Sequence, residues 1–419
     1  MWETLRNAWR VEDLRKKLLY TFFMLLVFRL VGVIPAPGVD IARVHSQTAN
    51  LPLLDLVNMM TGNAFSNMTI MAMGITPYIN SSIIMQLLTI AIPALERMQK
   101  EGEEGRKRIA QITRYVTVGL AVIQAIFLVA GLGYIKSGWF NYVMVGVSMA
   151  GGTALAMWIG ERITEKGVGN GISLLIFAGI VSNLFNGAVS GVKNAAAAGT
   201  MSAWLTMLAV LVAALVMITL VTFVDMGERR VPVQYAKRVV GRKMYGGQST
   251  HIPMKVNSTG VLPLIFAYSF MAFPGTIIQL VGGTNSGAYR WWGTYMNSAS
   301  PIYLTVTALL IIAFTYFYTS ISFNPQDISK NIQQQGGLIP GIRSGKATVD
   351  YLSRTSSRLT LFGALFLAVL ATVPTVLTVQ LQTSIPFAAS SLLIAVSVAL
   401  ETTRQVESQL IMRHYKGFL

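Results

Sequence analysis

Apolar runs separated by short polar breaks set the pattern of this chain. Stretches almost free of charge fall at about 18 to 34, 68 to 92, 116 to 134, 140 to 160, 170 to 186, 204 to 224, 259 to 281, 302 to 322, 359 to 380 and 387 to 403. Each lies within the roughly 17 to 25 residues that carry a helix across about 30 Å of hydrocarbon. The pattern therefore predicts an all-α integral membrane protein with ten transmembrane helices. One run is preceded by a break. Asp55-Leu-Val-Asn-Met-Met-Thr-Gly62 is far too short to span, Asn63-Ala-Phe-Ser-Asn67 interrupts it, and Met68 to Ile92 follows as 25 residues without a charge. We read a re-entrant half-helix ahead of a full span. Irregular backbone at membrane depth is tolerated only where it is buried in protein or lines a cavity, so the break points to an internal pathway. A surface loop with a short interfacial helix would account for the same residues.

Composition agrees with the pattern. Of 419 residues, 53% are hydrophobic and 12% charged, which excludes an ordinary soluble enzyme. The net charge of +16 would suit a nucleic-acid binder, so the placement of the basic residues decides what it means. Segments 1 to 17, 93 to 115, 161 to 169, 225 to 258, 323 to 358 and 404 to 419 hold 28 Lys and Arg, and the alternate connections hold 4. Cytosolic loops carry the positive excess, so both termini are expected in the cytosol and the basic charge is mainly topology. The apolar run after the basic N-terminus continues into Pro35-Ala-Pro-Gly38 rather than a small-x-small cleavage site, so it is expected to stay as a first span.

Chemistry is conspicuous by its scarcity. The sequence has no cysteine, and His45, His251 and His414 are scattered without ligand spacing, so no metal site is expected. No P-loop, Gly-x-Ser-x-Gly or His-Glu-x-x-His motif occurs, and Gly167-Val-Gly-Asn-Gly171 lacks the strand and acidic partner of a dinucleotide site. Neither a cofactor nor catalysis is expected. Within the spans only Arg29 and Glu401 are ionisable, both near an end, whereas ion-coupled carriers usually place such groups near the midplane. Small and neutral polar residues abound instead, as in Gly74-Ile-Thr-Pro-Tyr-Ile-Asn-Ser-Ser82, where they allow close helix approach. Two loops are far longer than ordinary connectors. Residues 225 to 258 contain two β-prone runs around Gly241-Arg242 and read as a hairpin with a basic tip. Residues 323 to 358 contain Pro340-Gly-Ile-Arg-Ser-Gly-Lys346. Their arginines could serve orientation alone or partner docking.

Several motifs identify a resemblance. Gly74-Ile-Thr-Pro-Tyr-Ile-Asn-Ser-Ser-Ile-Ile-Met-Gln86, Trp158-Ile-Gly-Glu-Arg-Ile-Thr-Glu-Lys-Gly-Val-Gly-Asn-Gly-Ile-Ser173, Tyr235-Ala-Lys-Arg238, Gln248-Ser-Thr-His-Ile-Pro-Met-Lys-Val-Asn257 and Pro340-Gly-Ile-Arg343 resemble the SecY family over essentially the whole chain. The resemblance implies a protein-conducting channel with an hourglass pore between two pseudo-symmetric five-helix halves, 1 to 203 and 204 to 419. It would open across the membrane and sideways into lipid. Asp55 to Asn67 would be the plug, with Asp55, Asn58, Met59, Met60 and Gly62 among its residues. Family pore-ring positions fall on Ile75, Ile79, Ile172, Ile176, Ile265 and Ile394. Independently of the family, Ile75/Ile79 and Ile172/Ile176 are i, i+4 pairs that share a helical face, an arrangement equally usual in plain core packing. Gln86 and Asn170 match lateral-gate positions, and Arg242 and Arg343, with Lys243 and Lys346 beside them, match loop positions that dock a ribosome and the motor ATPase SecA. Ser344 and Lys346 depart from the proline and acidic residue common in that family motif. The resemblance also implies the small subunits SecE and SecG, a translocating polypeptide and membrane lipid as partners, and a bacterial inner-membrane location. From the residues alone, a small-solute transporter or a membrane scaffold stays open.

Overall fold

The computed structural model describes residues 6, 9–39, 61–62, 64–132, 138–235, 238–240, 243–245, 249–257, 259–282, 286–297, 300–381 and 389–416. In chain order these form α1 (Glu12–Val31), α2 (Thr76–Ala91), α3 (Pro93–Lys100), α4 (Glu103–Leu132), α5 (Trp139–Lys166), α6 (Gly171–Ala198) and α7 (Met201–Asp225). The strands β1 (Glu228–Tyr235), β2 (Arg238–Val240), β3 (Lys243–Tyr245) and β4 (Ser249–Lys255) follow. The chain then continues through α8 (Leu262–Gly282), α9 (Gly287–Tyr295), α10 (Pro301–Ser322), α11 (Pro325–Gln334), β5 (Gly337–Leu338), α12 (Lys346–Leu381) and α13 (Ala389–Lys416). Each of the ten apolar runs overlaps a helix of the described residues. Among the described residues, six helices are long and apolar enough to cross a membrane, and seven if α2 and α3, bent by 99° at their junction, count as one broken span. Pro93 sets that bend, because a proline ring disfavours helical geometry in the residue before it, and Ile92 is extended at ψ 112°.

The run from 68 to 92 differs from the expectation of one continuous span. Helix begins only at Thr76, and residues 64–75 are mostly buried turns, with Asn67 exposed. Met68 sits at φ +44° and Gly74 at φ +52°, left-handed backbone that no α-helix accommodates. The polar groups released by this break are taken up inside the protein. Ala36 N–H donates to the Met68 carbonyl at 3.0 Å and Ile70 N–H to the Ile34 carbonyl at 2.9 Å, while Met68, Thr69, Ala72 and Gly74 N–H close local turns. Gly152 of α5 lets that helix ride directly on the break, since a Cβ there would lie 2.1 Å from the Ile70 carbonyl oxygen. The break is longer and lies later than the hydrophobicity pattern indicated, and the half-helix expected ahead of it lies, apart from Thr61 and Gly62, outside the described residues.

Packing divides the helices into two groups. In the first, α4 lies on α2 and α5, and α1 packs against α5 and α6; in the second, α10 packs on α8 and α12, while α13 packs on α7 and α12. The groups meet along two seams, one where α8 contacts α2 and α4, the other where α6 contacts α13 and α7. A single buried cluster, containing Ile75, Ile163, Leu175, Leu264, Ile311, Leu367 and Leu393 among others, runs between them.

The two long loops are not separate. β2 pairs antiparallel with β3 across Gly241-Arg242, the hairpin expected from the sequence, and beneath it β1 pairs antiparallel with β4 from Glu228↔Lys255 to Gln234↔Ser249, which was not expected. On its other edge β1 takes up β5 from the second loop, Gln234↔Leu338 and Tyr235↔Gly337. Val231, Val233 and Met254 from the first loop share a small core with Ile332, Ile339 and Leu352 from the second.

Candidate functional site

The six isoleucines singled out in the sequence come from four helices and all belong to, or pack against, one buried cluster. Ile75 is the N-cap of α2 and Ile79 follows one turn later; Ile172 and Ile176 lie in the first turns of α6, Ile265 in the first turn of α8, and Ile394 near the start of α13. All but Ile172 are buried in the one central cluster, 3 to 6% exposed, and Ile172 packs against it. Local sequence allows this convergence. Gly171 touches the Gly160 carbonyl at backbone distance, its missing Cβ falling 1.9 Å from that oxygen, and Gly160 leaves room for the Ile172 side chain at 2.8 Å. These glycines let α5 and the start of α6, which carries Ile172 and Ile176, pack closely.

Of the expected plug residues, Gly62 is described, whereas Asp55, Asn58, Met59 and Met60 lie outside the described residues. Gly62 adopts φ +66°, and a Cβ there would sit 2.1 Å from Nη1 of Arg29. Thr61 is buried beside Gly74, whose own Cβ would meet the Thr61 Cγ2 at 2.7 Å. The end of this segment thus abuts both Arg29 and the turn that leads into Ile75.

The two expected gate residues are in different places. Gln86 lies on α2 at the seam, where its Oε1 accepts a hydrogen bond from the hydroxyl of Tyr318 on α10. Tyr318 is held on its own side by Phe266 of α8, ring centroids 4.9 Å apart, and Phe266 also meets Phe314 at 6.3 Å. Asn170 instead caps α6. Its Oδ1 accepts from the N–H groups of Ile172 at 3.1 Å and Ser173 at 3.3 Å, satisfying two donors left free at a helix start. The adjacent Gly169 packs against Thr402 of α13, so the Asn170 side chain serves the α6–α13 side of the structure rather than the Gln86 seam. Sequence reading missed Tyr318; its only local signal is the aromatic pair Phe314 and Tyr318, four residues apart on one helical face.

On the platform formed by the two loops, Arg343 and Lys346 are exposed. The turn carrying Arg343 is fixed through its backbone: Thr348 Oγ1 donates to the Arg343 carbonyl at 2.9 Å and Ser329 Oγ to the Gly345 carbonyl at 3.2 Å. Those bonds do not involve the side chains of Ser344 or Lys346, so the departures from the family motif leave the turn intact. Lys243 opens β3, and Arg242 lies outside the described residues.

With this geometry in view, the similarities are specific. The family model described as SecY matches residues 69–403. Protein translocase subunits SecY from Streptomyces galbus and from Halalkalibacterium halodurans are each 43% identical, the first over 99% of this chain and 98% of its own, the second over 100% of both. The Mycobacterium tuberculosis protein of the same description is 41% identical over 99% of this chain and 98% of its own. A solved protein-conducting channel superposes with a TM-score of 0.69 at 18% identity, covering 95% of this chain and 93% of its own. Sec61 in a canine ribosome–channel complex superposes with a TM-score of 0.65 at 17% identity, covering 95% and 93%. These structural likenesses carry the fold, and the small-solute transporter finds no support among the relatives. The chain belongs to the SecY family, as a multi-pass membrane protein with the fold of its channels.

Proposed function

We propose that this chain is a channel that passes unfolded polypeptides across the membrane and releases apolar segments sideways into lipid. The observation that carries the reading is the convergence of six isoleucines, from helices on both sides of the molecule, in one charge-free cluster. A waist lined only by branched aliphatic side chains excludes water and hydrated ions by dewetting, yet yields to a passing chain because no hydrogen bond or ion pair must be broken. Residues 55–67 act as the plug that completes the closed state. The seam between α2 and α8–α10 is the lateral gate, with Gln86 and Tyr318 across it. The halves 1–203 and 204–419 hinge on the α6–α7 side, where they are joined covalently and by packing.

Energy comes from partners, because the sequence carries no nucleotide motif. The platform of the two loops is the docking surface for a ribosome and for the motor ATPase SecA, with Arg242, Lys243, Arg343 and Lys346 as contacts. The ribosome reading is supported by the ribosome-bound relatives of this fold. SecE and SecG complete the complex in the bacterial inner membrane, with both termini in the cytosol. No catalytic role is proposed for any residue.

The test is electrical. In planar bilayers, deletion of Leu56 to Asn63, or Ile79→Ser combined with Ile176→Ser, should raise resting ion conductance while protein export largely persists. Conductance unchanged from wild type in both would overturn the assignments of seal and plug.

A further inference from the structure

Asp225 closes α7 at the root of the first loop, 8% exposed, and two residues distant in sequence converge on it. Its carboxylate Oδ1 accepts from Asn257 Nδ2 at 2.7 Å, and its main-chain carbonyl accepts from Arg404 Nη2 at 2.6 Å. That carbonyl is one of the acceptors left over at a helix C-terminus, where a guanidinium both completes the hydrogen bond and faces the negative end of the helix dipole. Asn257 is also 8% exposed and stands just beyond β4, so the amide ties the two ends of one loop to each other. A third helix reaches the same point. Gly363 of α12 lies against the Val256 carbonyl, where a Cβ would come within 2.6 Å of the oxygen.

Arg404 belongs to α13, the helix that also carries Ile394. Ten residues separate them, about 15 Å of unbroken helix at 1.5 Å per residue. An arginine needed only to mark orientation has no use for a part-buried hydrogen bond to another helix's last turn. We infer that Asp225, Asn257 and Arg404 form a joint through which a partner loading the 225–258 loop shifts α13, and with it Ile394 in the seal. The inference rests on the docking and seal readings above. A helix transmits such a displacement as a rigid body, and the packed cluster around Ile394 gives way in steps rather than by continuous stretching.

The test uses the complete translocase in proteoliposomes, with Arg404→Met, Asn257→Leu, Arg404→Lys and Gly363→Ala compared with wild type. Affinity for the motor ATPase and transport per bound motor are measured separately. The joint predicts affinity within about twofold of wild type and transport per bound motor reduced roughly 2- to 30-fold in Arg404→Met and Asn257→Leu, with partial recovery in Arg404→Lys. Gly363→Ala, which adds a methyl group against the Val256 carbonyl without touching the three polar side chains, should lower transport per bound motor in the same direction. Unchanged transport per bound motor in both Arg404→Met and Asn257→Leu overturns the inference. So does a fall in affinity that accounts for the whole loss of transport, since the three residues would then only support the docking surface. Failure of the docking reading itself shows elsewhere, as normal motor binding by Arg242→Glu and Arg343→Glu proteins.

Discussion

Tyr318 and Gln86 join the two sides of the seam at the level of single side chains. One hydroxyl-to-amide bond crosses between α10 and α2, half-buried, and the tyrosine ring is otherwise packed among aromatics of its own side. Removing one partner leaves a buried polar atom unsatisfied, at about 1–3 kcal/mol, whereas making both partners apolar is close to neutral. Tyr318→Phe and Gln86→Leu should each shift the length and hydrophobicity at which test segments partition sideways into lipid, and the double variant should return towards wild type. Additive single effects would show that the bond does not govern the seam. Burial of Ile75, Ile79 and Ile176 agrees with their i, i+4 spacing, whereas membership of a ring, for Ile265 and Ile394 above all, rests on the family motif. Tyr318 was not legible in the sequence, because nothing local distinguishes it from other aromatic residues of an apolar helix. Asn170 shows a related point: a side chain just before a helix start is first a cap, and its position in a motif does not reveal which way its oxygen points.

Among elements, the platform is where sequence reading fell furthest short. The hairpin was legible from alternating β-prone residues, but the pairing of β1 with β5 joins residues about a hundred positions apart and has no local signature. Its consequence is that the two basic loops stand or fall together. Gly337 lies against Tyr235 and Ile332, where a Cβ would come within 2.9 and 3.0 Å, so Gly337→Val should detach β5 and weaken motor and ribosome binding at once. Leu352, fully buried in the shared core, gives a second handle. Leu352→Ala should cost about 2–5 kcal/mol of platform stability, seen as faster proteolysis of both loops with the transmembrane helices still protected. Individual tips should differ. Arg343→Glu is expected to abolish motor-driven transport with folding intact, and Arg242→Glu to weaken ribosome binding and flatten its dependence on salt, since phosphate contacts release counterions. Normal binding and transport by both at physiological salt would return these arginines to orientation alone.

For the whole molecule, hydrophobic length made a multi-pass helical membrane protein legible, because it follows from the bilayer rather than from any partner residue, and charge asymmetry supplies the expected orientation. Alkaline phosphatase fused within 187 to 203 should be active and fused within 225 to 258 inactive; the reverse would overturn the orientation. What length and charge cannot register is backbone that leaves the helix while remaining buried. Residues 68–75 read as apolar and therefore as part of a span, yet they turn back on themselves beneath α5. This arrangement imposes an order on biosynthesis. When the chain has been made only as far as α4, the turn can already bond to residues 34–36, but the cover supplied at Gly152 has not left the ribosome. Until α5 inserts, peptide groups of the break face either lipid, at several kcal/mol for each one unsatisfied, or some temporary shelter. Chains truncated before residue 139 should therefore be held by an insertion factor or destroyed by quality control, whereas chains extended past residue 166 should become protease-resistant in a single step.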